Sequence, residues 1–209
     1  MESVREPILH PVDIAVLRPT QITVGMREVE DKREQWRRKL DSKKSELLGR
    51  HMIPVIVGPK DRYYIIDHHH LARALHDEGE KLVLVTVIRN LRNLDKDCFW
   101  TVLDHHGWVH PYDADGIRQS YDALPKSVAD LIDDPFRSLA GQLRRAGGFA
   151  KDTTPFSEFL WADFLRGRMK RSSVQKDMKA AIDQALELAK SSEANYLPGW
   201  SGPVADPKK

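Results

Sequence analysis

Cysteine is almost absent from this chain, since Cys98 is the single cysteine among 209 residues. One cysteine excludes an internal disulfide framework and a cysteine-rich zinc site. Long apolar runs are also missing, because none approaches the roughly 20 residues of a membrane span. The N-terminal sequence MESVREPILHP lacks the apolar core of a signal peptide. We therefore expect a cytoplasmic protein of bacterial type with no membrane contact.

An excess of one charge is missing as well. The net charge is +2 and the pI is about 8.6, while 31% of the residues are charged and 41% are hydrophobic. The hydrophobic content is enough for a substantial core. A charge of this size does not by itself indicate a nucleic-acid binder, so DNA stays open as a partner. The oligomeric state is also left open.

The order of the predicted elements indicates an α+β fold without internal repeats. Strands mixed with helices come first, and helices alone follow. We predict a first domain over residues 1–120. A helical C-terminal part over residues 121–190 is expected to pack on it as the same globule, and residues 191–209 are expected to form a flexible tail.

The first half shows alternating and amphipathic patterns. Val12, Ile14 and Val16 alternate with less apolar neighbours, which predicts one half-buried strand within residues 6–17. Residues 26–50 predict an exposed amphipathic helix with an apolar face. Residues 81–89 predict a strand buried on both faces, and a helix starting at residues 94–95 is expected to end near Gly107.

The second half reads as a series of helices. Residues 124–132 predict a short helix. Asp134 and Pro135 form a cap-and-proline start signal, which Thr154 and Pro155 repeat. A last helix is expected to run from Ser172 or Ser173 to residue 190.

The most informative stretch is residues 52–75, MIPVIVGPKDRYYIIDHHHLARAL. Two β-favouring runs flank the turn-forming sequence GPKDR. Asp67 then stands where a helix N-cap is expected, and three histidines follow it. A strand that leads into a helix N-terminus presents free backbone N–H groups to an anion such as phosphate.

This stretch resembles the ParB/sulfiredoxin superfamily. The ParB sequence Gly-Glu-Arg-Arg-x-Arg-Ala aligns with the segment that runs from His68 to Ala74, and the Asp-Gly-His-His-Arg of ParB-like serine kinases resembles Asp67, His69 and His70. The chain is most similar to the ParB-like nuclease family over most of its length, including DPFRSL at residues 134–139 and residues 154–166. The resemblance implies a small mixed sheet with helices, followed by an all-helical part packed on it.

Several residues become candidates for the site once this resemblance is combined with the sequence pattern. Adjacent helical residues point about 100° apart, so at most two histidines converge on one ligand. We expect His69 and His70 to be catalytic, together with Asp67. The predicted phosphate-binding residues are Arg18, His68, Arg73 and Lys151. Asp67, His105 and His106 are the candidate metal ligands, and Gln21, Glu30 and Glu158 are further candidates for the site.

The resemblance implies an enzyme that acts on a phosphate-bearing small molecule or nucleotide, by nucleotide hydrolysis or phosphoryl transfer. Such chemistry calls for Mg²⁺ or another divalent metal. A metal-assisted nuclease and a non-catalytic nucleotide- or DNA-binding module are the alternatives. Two departures weigh against cytidine triphosphate binding of the ParB type. His68 replaces the ParB glycine, and the paired arginines are replaced by His70 and Leu71. Surface histidines and helix caps without a functional role remain the plain alternative for each candidate.

Overall fold

The fold is built on a mixed sheet of five strands. The computed structural model describes residues 10–40 and 52–203. In this part of the chain the strand order is β1-β6-β4-β5-β2. Strands β4 and β6 are parallel, as are β2 and β5, while the β1–β6 and β4–β5 pairs are antiparallel. The strands are β1 (His10–Asp13), β2 (Leu17–Pro19), β4 (Ile53–Gly58), β5 (Arg62–Ile65) and β6 (Leu82–Asn90).

A second, two-stranded parallel sheet and the helices are the other main elements in the part of the chain that is described. Strand β3 (Thr23–Val24) pairs with β7 (Ile132–Asp133), which joins the early and the late parts of the chain. Sheet and helices come first and helices alone follow, so the α+β class is confirmed. The helices are α1 (Met26–Leu40), α2 (His69–Asp77), α3 (Lys96–His105), α4 (Pro135–Arg145), α5 (Ser157–Arg166), α6 (Arg171–Lys176) and α7 (Met178–Lys190).

The single strand predicted within residues 6–17 is wrong. The chain forms β1, then a turn of 3-10 helix over residues 14–16, and then β2. The turn forms because the Asp13 carboxylate accepts the backbone N–H of Ala15 at 2.9 Å, which caps it. Ile14 still enters the core, whereas Val16 is 50% exposed. The apolar residues alternate across the 3-10 turn as they would along a strand, so their spacing did not reveal the turn.

The strand, turn, strand and helix predicted over residues 52–75 are confirmed in β4, β5 and α2. The predicted cap is wrong, because His68 occupies the N-cap position, with φ of 65° in the left-handed region and no side-chain cap. The Asp67 carboxylate accepts the N–H of His68 at 2.6 Å instead of an N–H of the helix. His68 thus adopts the backbone conformation that glycine favours, at the position where ParB has glycine.

Strand β6 confirms the strand prediction but not burial on both faces. Val83 and Val85 are buried, whereas Leu82 and Ile88 are 56% and 49% exposed. Helix α1 begins as predicted, with Val29 and Trp36 in the core. The predicted apolar contact of Leu47 lies outside the described residues.

Three predicted helix boundaries in the second half are wrong. Residues 124–132 form a short 3-10 turn and the start of β7 instead of a helix. The helix expected at Thr154 begins at Ser157, after Phe156 with φ of 58°. The last helix is two helices, α6 and α7, because the Asp177 carboxylate accepts the N–H of Ala180 at 3.0 Å and starts a new helix. The start at Asp134 and Pro135 is confirmed.

Buried apolar residues form three clusters. The first lies between one face of the sheet and helices α1 and α2, and the third covers the opposite face with α3. The second joins α4 to α7 and extends to Ala194 and Leu197. The Nε1 of Trp161 donates to the Pro198 carbonyl at 2.8 Å. Residues 194–198 therefore contact the helices, through apolar side chains and this hydrogen bond.

Candidate functional site

The strand-to-helix junction at residues 66–70 opens into a cavity of about 580 Å³. This volume suits a small-molecule ligand. The far wall comes from the helical second half, so the cavity is composite. Its lining includes the following residues: Gln21, Pro54, Ile66, Asp67, His69, His70, Ile88, Trp108, Arg137, Arg144, Lys151, Asp152, Phe156, Glu158 and Phe159.

The rings of His69 and His70, on helix α2, form hydrogen bonds with the segment between β2 and α1. The Nε2 of His69 accepts the backbone N–H of Thr20 at 3.1 Å, and the Nε2 of His70 accepts that of Gly25 at 3.0 Å. Both side chains are buried, with 4% and 9% exposure. Their hydrogen bonds satisfy backbone donors that are buried away from water, so both rings have a structural task besides lining the cavity.

Burial keeps both rings neutral. Loss of solvation lowers the pKa of His69 to about 3, against the opposing attraction of Asp67. Burial also lowers the pKa of His70 well below its usual value, and the positive charge of Arg137 adds to this. A neutral ring with an unprotonated Nε2 is the form that accepts a backbone N–H. These rings are therefore weak bases at neutral pH.

A buried ion-pair network lies beneath the cavity. Glu28 of α1 is 3.0 Å from the Nη1 of Arg137 and 3.2 Å from the Nη2 of Arg145. Arg137 also pairs with Glu158 of α5, which is 2.7 Å from the Nε of Arg144. The network joins α1, α4 and α5 behind the histidines. Loss of one partner would leave an uncompensated buried charge.

Arg137 lines the cavity although it also belongs to these ion pairs. Its side chain is 8% exposed. Its Nη1 faces the Glu28 carboxylate at 3.0 Å, and its buried Nε makes no hydrogen bond with the described residues. Phe159 lies 5.3 Å from the guanidinium and holds the group in place.

The mouth of the cavity carries charges of both signs. Lys151 is exposed and makes no ion pair or hydrogen bond within residues 10–40 and 52–203. The Asp67 side chain is 75% exposed, and the Nε2 of His68 lies 4.0 Å from its carboxylate. Asp152 caps the following turn by accepting the N–H of Thr154 at 2.7 Å. One cation is therefore free to approach an anionic ligand from solvent.

The N-terminus of α2 adds backbone donors. No side chain caps this helix, so the N–H groups of its first turn lack an intrahelical acceptor. The positive end of the helix dipole lies at the same place. His69 and His70, the first residues of α2, line the cavity.

The aromatic wall contains a histidine that is packed like a phenylalanine. The His110 ring lies 4.0 Å from Phe159, 4.8 Å from Phe156 and 4.4 Å from Tyr112, measured between ring centroids. Burial lowers its pKa to about 3, with the positive charges of Arg137 and Arg166 adding to the effect. His110 thus supports the wall as a neutral ring.

The structure brings some of the predicted site residues together and separates others. Asp67, His69, His70, Gln21, Lys151 and Glu158 share the cavity. Arg18 lines a different recess. Arg73 donates to the Ala129 and Leu131 carbonyls at 3.0 and 2.8 Å and pairs with Asp77, so it braces a loop.

Four more candidates lie outside the cavity lining. Glu30 pairs with Arg33 at 2.8 Å on the outer face of α1. The Nδ1 of His68 lies 3.0 Å from the Met52 carbonyl. His106 stacks on Trp108, with ring centroids 4.2 Å apart, while His105 ends α3 without a place in the cavity lining.

The described residues do not provide a metal site of their own. Within them, no three His, Cys, Asp or Glu side chains lie close enough to hold an ion, so Asp67, His105 and His106 do not form such a group. Mg²⁺ is often held by one or two carboxylates together with substrate phosphates. A divalent metal that arrives with its substrate stays a prediction.

Comparison with known proteins places the chain in a family. Residues 10–167 match the family model described as "Putative ParB-like nuclease". The chain belongs to the ParB-like nuclease family. The predicted resemblance is therefore confirmed, and the match includes the strand-to-helix junction, the cavity wall and the ion-pair network.

Two solved structures resemble this ParB-like nuclease family member to very different degrees. Protein Atu1540 from Agrobacterium tumefaciens is 51% identical, with 95% of this chain and 99% of that chain covered and a TM-score of 0.88. The C-terminally truncated chromosome-partitioning protein ParB from Caulobacter crescentus, complexed with CTP-gamma-S, is 14% identical. It covers 89% of this chain and 94% of its own, with a TM-score of 0.32. No curated protein matches the chain significantly.

Sequence reasoning missed Arg144 as a site residue, and it included Arg137 only within the DPFRSL segment of the family resemblance. Both are basic residues on a helix that starts with a recognisable cap, and they are seven positions apart. That spacing places them on the same helical face. It is a usable signal, although a solvated face gives the same pattern.

No helix among the described residues is both long and apolar enough to cross a membrane.

Proposed function

We propose that this protein binds a phosphate-bearing, nucleotide-sized ligand in the composite cavity and acts on its phosphate ester. One observation carries the proposal. The first residues of the uncapped helix α2, the guanidinium of Arg137 and Lys151, which is unpaired among the described residues, line the same cavity of about 580 Å³. Backbone N–H groups and a buried guanidinium are the donors that a phosphate prefers.

The aromatic wall supports the non-phosphate part of such a ligand. Trp108, Phe156 and Phe159 line the cavity, together with Ile66 and Ile88. Aromatic faces accept a nucleobase or another flat group by stacking. The ligand is therefore expected to have a charged end at α2 and an apolar or aromatic end at this wall.

The chemical step falls to Asp67 more readily than to the histidines. His69 and His70 use their Nε2 atoms for backbone hydrogen bonds and have lowered pKa values. Glu158 is paired with two arginines. Among the described residues Asp67 forms no ion pair with a lysine or arginine, and the Nε2 of His68 is 4.0 Å from its carboxylate. It is thus the cavity carboxylate best placed to orient a water molecule or to share a metal with a bound phosphate.

Ligand binding is tested by calorimetric titration with nucleoside mono-, di- and triphosphates and with inorganic pyrophosphate. Lys151→Ala should weaken binding of the best ligand about tenfold, because one charge-assisted contact is lost. Lys179→Ala, an exposed lysine on α7, is the control and should bind like wild type. If no phosphate compound binds, or if both variants bind alike, the proposal is wrong.

Turnover is tested separately by release of phosphate or nucleoside from the bound ligand, with Mg²⁺ and with a chelator. Asp67→Asn should retain binding and lose turnover. Binding without turnover in the wild-type protein would favour the non-catalytic alternative.

Metal-assisted cleavage of a phosphodiester is the second candidate. Family membership and the two mouth carboxylates, Asp67 and Asp152, favour it. A 5′-labelled oligonucleotide cut only in the presence of a divalent metal, and not by Asp67→Asn, would support this function over small-molecule hydrolysis.

A further inference from the structure

A second recess lies at the other end of helix α3. Lys96, in the first turn of α3, lines this recess of about 360 Å³. Gly107 and Trp108, just beyond the last turn, line the cavity described above. The two openings are therefore separated by the length of one helix, about 15 Å at 1.5 Å per residue. They share no lining residue.

Positive charge collects around this second recess. Four of its cations, Arg18, Lys60, Arg62 and Lys126, make no ion pair with any of the described residues. The only acid in the lining is Asp122, and it is already paired with Lys96. Like charges gathered without counterions repel each other, and a bound polyanion would relieve that repulsion.

The floor of the recess is rigid and apolar. Tyr64, Phe99 and Trp100 are buried and pack against one another at 4.6 to 5.4 Å between ring centroids. Tyr121 stacks on Trp100 at 5.3 Å and is only partly covered. Pro19, Pro59 and Pro125 complete the lining. The surface thus offers flat apolar contact at the bottom and mobile cations at the edge.

We propose that this recess binds single-stranded nucleic acid, with the cations on the phosphates and the floor against a base. The cations come from separate segments: strand β2, the β4–β5 turn and the loop before β7. Long side chains spread in this way suit the repeated phosphates of a chain. A recess with an aromatic floor admits a splayed base, which a duplex does not present.

The proposal does not depend on the first cavity. It also gives Arg18 a phosphate-binding role in the second recess and not in the histidine site. Arg18 was expected beside the histidines, but it faces the opposite end of α3. A nucleic-acid ligand here would therefore survive the loss of small-molecule binding at Lys151. The two proposals can fail separately.

The test is fluorescence anisotropy of a labelled 12-nucleotide thymidine oligomer over a salt series. The variant carries Lys60→Gln, Arg62→Gln and Lys126→Gln, all at exposed positions. The slope of log affinity against log salt should fall by about 2, since each phosphate contact contributes about 0.7 for single strands. The control carries Lys170→Gln, Lys176→Gln and Lys179→Gln, which gives the same change in net charge and should keep the wild-type slope.

Further ligands distinguish binding of a single-stranded nucleic acid from binding of other polyanions. The matching RNA oligomer separates the two kinds of nucleic acid, and either one binding through this recess supports the proposal. A duplex of equal length should bind at least tenfold more weakly. Equal slopes for the two triple variants would overturn the proposal. It would also be overturned if polyglutamate of equal charge, or pyrophosphate, displaced the labelled oligomer at the same concentration as unlabelled oligomer.

Discussion

At the residue scale, the rings of His69 and His70 act as acceptors for two backbone amides that are distant in sequence. The bonds reach Thr20 and Gly25 across 49 and 45 residues. The sequence predicted a catalytic task for both rings. The structure adds a structural task, because a ring removed here leaves a buried N–H without a partner.

We therefore expect His70→Ala to lower the free energy of unfolding by about 2–4 kcal/mol, from an unsatisfied donor and a cavity together. Urea denaturation followed by circular dichroism measures this change. His76→Ala lies on the same helix in a partly exposed position and should change stability by less than about 0.5 kcal/mol. Equal stability of His70→Ala and wild type would show that Gly25 finds another acceptor.

His110 makes the stability of the fold fall as the pH is lowered. Its folded-state pKa is about 3, below its ordinary value of 6.5. The unfolded chain therefore binds more protons below pH 6.5, and the stabilising effect of the neutral ring is lost as the pH falls towards 3. Each such histidine contributes a slope of up to about 1.4 kcal/mol per pH unit.

His110→Phe should make stability less dependent on pH between 6 and 4, by about one proton. Phenylalanine retains the packing against Phe156 and Phe159 and cannot be protonated. The measurement is the urea midpoint and slope at several pH values. Tyr112→Phe alters the same stack without removing an imidazole, so it should retain the wild-type slope. An unchanged slope in His110→Phe would contradict the assignment.

At the scale of single elements, the turn between β4 and β5 stores backbone strain. Lys60 has φ of 61° and Asp61 has φ of 54°. Left-handed backbone costs a non-glycine residue about 1 kcal/mol or slightly more. The flanking strands stay paired because Gly58 and Arg62 close the turn.

Lys60→Gly should raise the free energy of unfolding by about 0.5–1 kcal/mol, less the entropy that glycine adds to the unfolded chain. Lys60→Ala removes the same amine but keeps the φ penalty, so it should show no gain. Thermal unfolding of both variants measures the difference. Equal stability of the two would mean that the turn has another conformation in solution.

Elements with a strong local signal were predictable. β4, β5 and the body of α2 followed from β-branched runs and a turn sequence, and α4 followed from Asp134 and Pro135. Three of the wrong boundaries share one physical cause, which is that a polar side chain or a left-handed residue set the limit of an element inside a continuing apolar pattern. Asp13, Phe156 and Asp177 are the three instances.

The site was predictable only in part, for a related reason. The junction itself gave His69, His70 and Asp67 from local sequence. The local sequence did not show that the Nε2 atoms of His69 and His70 accept hydrogen bonds from Thr20 and Gly25, because the fold brings those residues to the rings. Arg18 and Arg73 were assigned by resemblance, and their surroundings depend on Asp77 and a distant loop. Tertiary partners of this kind leave no local pattern.

At the scale of the whole molecule, the two halves on either side of residue 120 contribute to the same apolar clusters, hydrogen bonds and ion pairs. Leu124, Val128 and Leu131 belong to the clusters that cover the sheet, although they follow residue 120. The N–H of Ile132 donates to the Ile22 carbonyl at 3.0 Å, and that of Asp134 donates to Val24 at 2.9 Å. Arg137 pairs with Glu28 across the same junction. The predicted boundary at residue 120 therefore cuts through two apolar clusters.

We expect the fragment 1–120 to aggregate or to lack cooperative unfolding, because it loses these apolar contacts and the partner strand of β3. The fragment 1–134 retains them and should be more soluble, but it should not bind phosphate ligands because α4 and α5 form the far wall of the cavity. Gel filtration and denaturation curves compare the fragments with the full chain. A fragment 1–120 that unfolds cooperatively would establish an independent first domain.

The three adjacent histidines look, on paper, like a short affinity tag. In the folded protein two of the three rings are enclosed, and their Nε2 atoms already hold the backbone of another segment. Immobilised nickel needs imidazoles that are free to coordinate. The native chain should therefore pass through a nickel column at low imidazole, whereas the same chain in urea should be retained. Retention on that column reports whether the junction has opened.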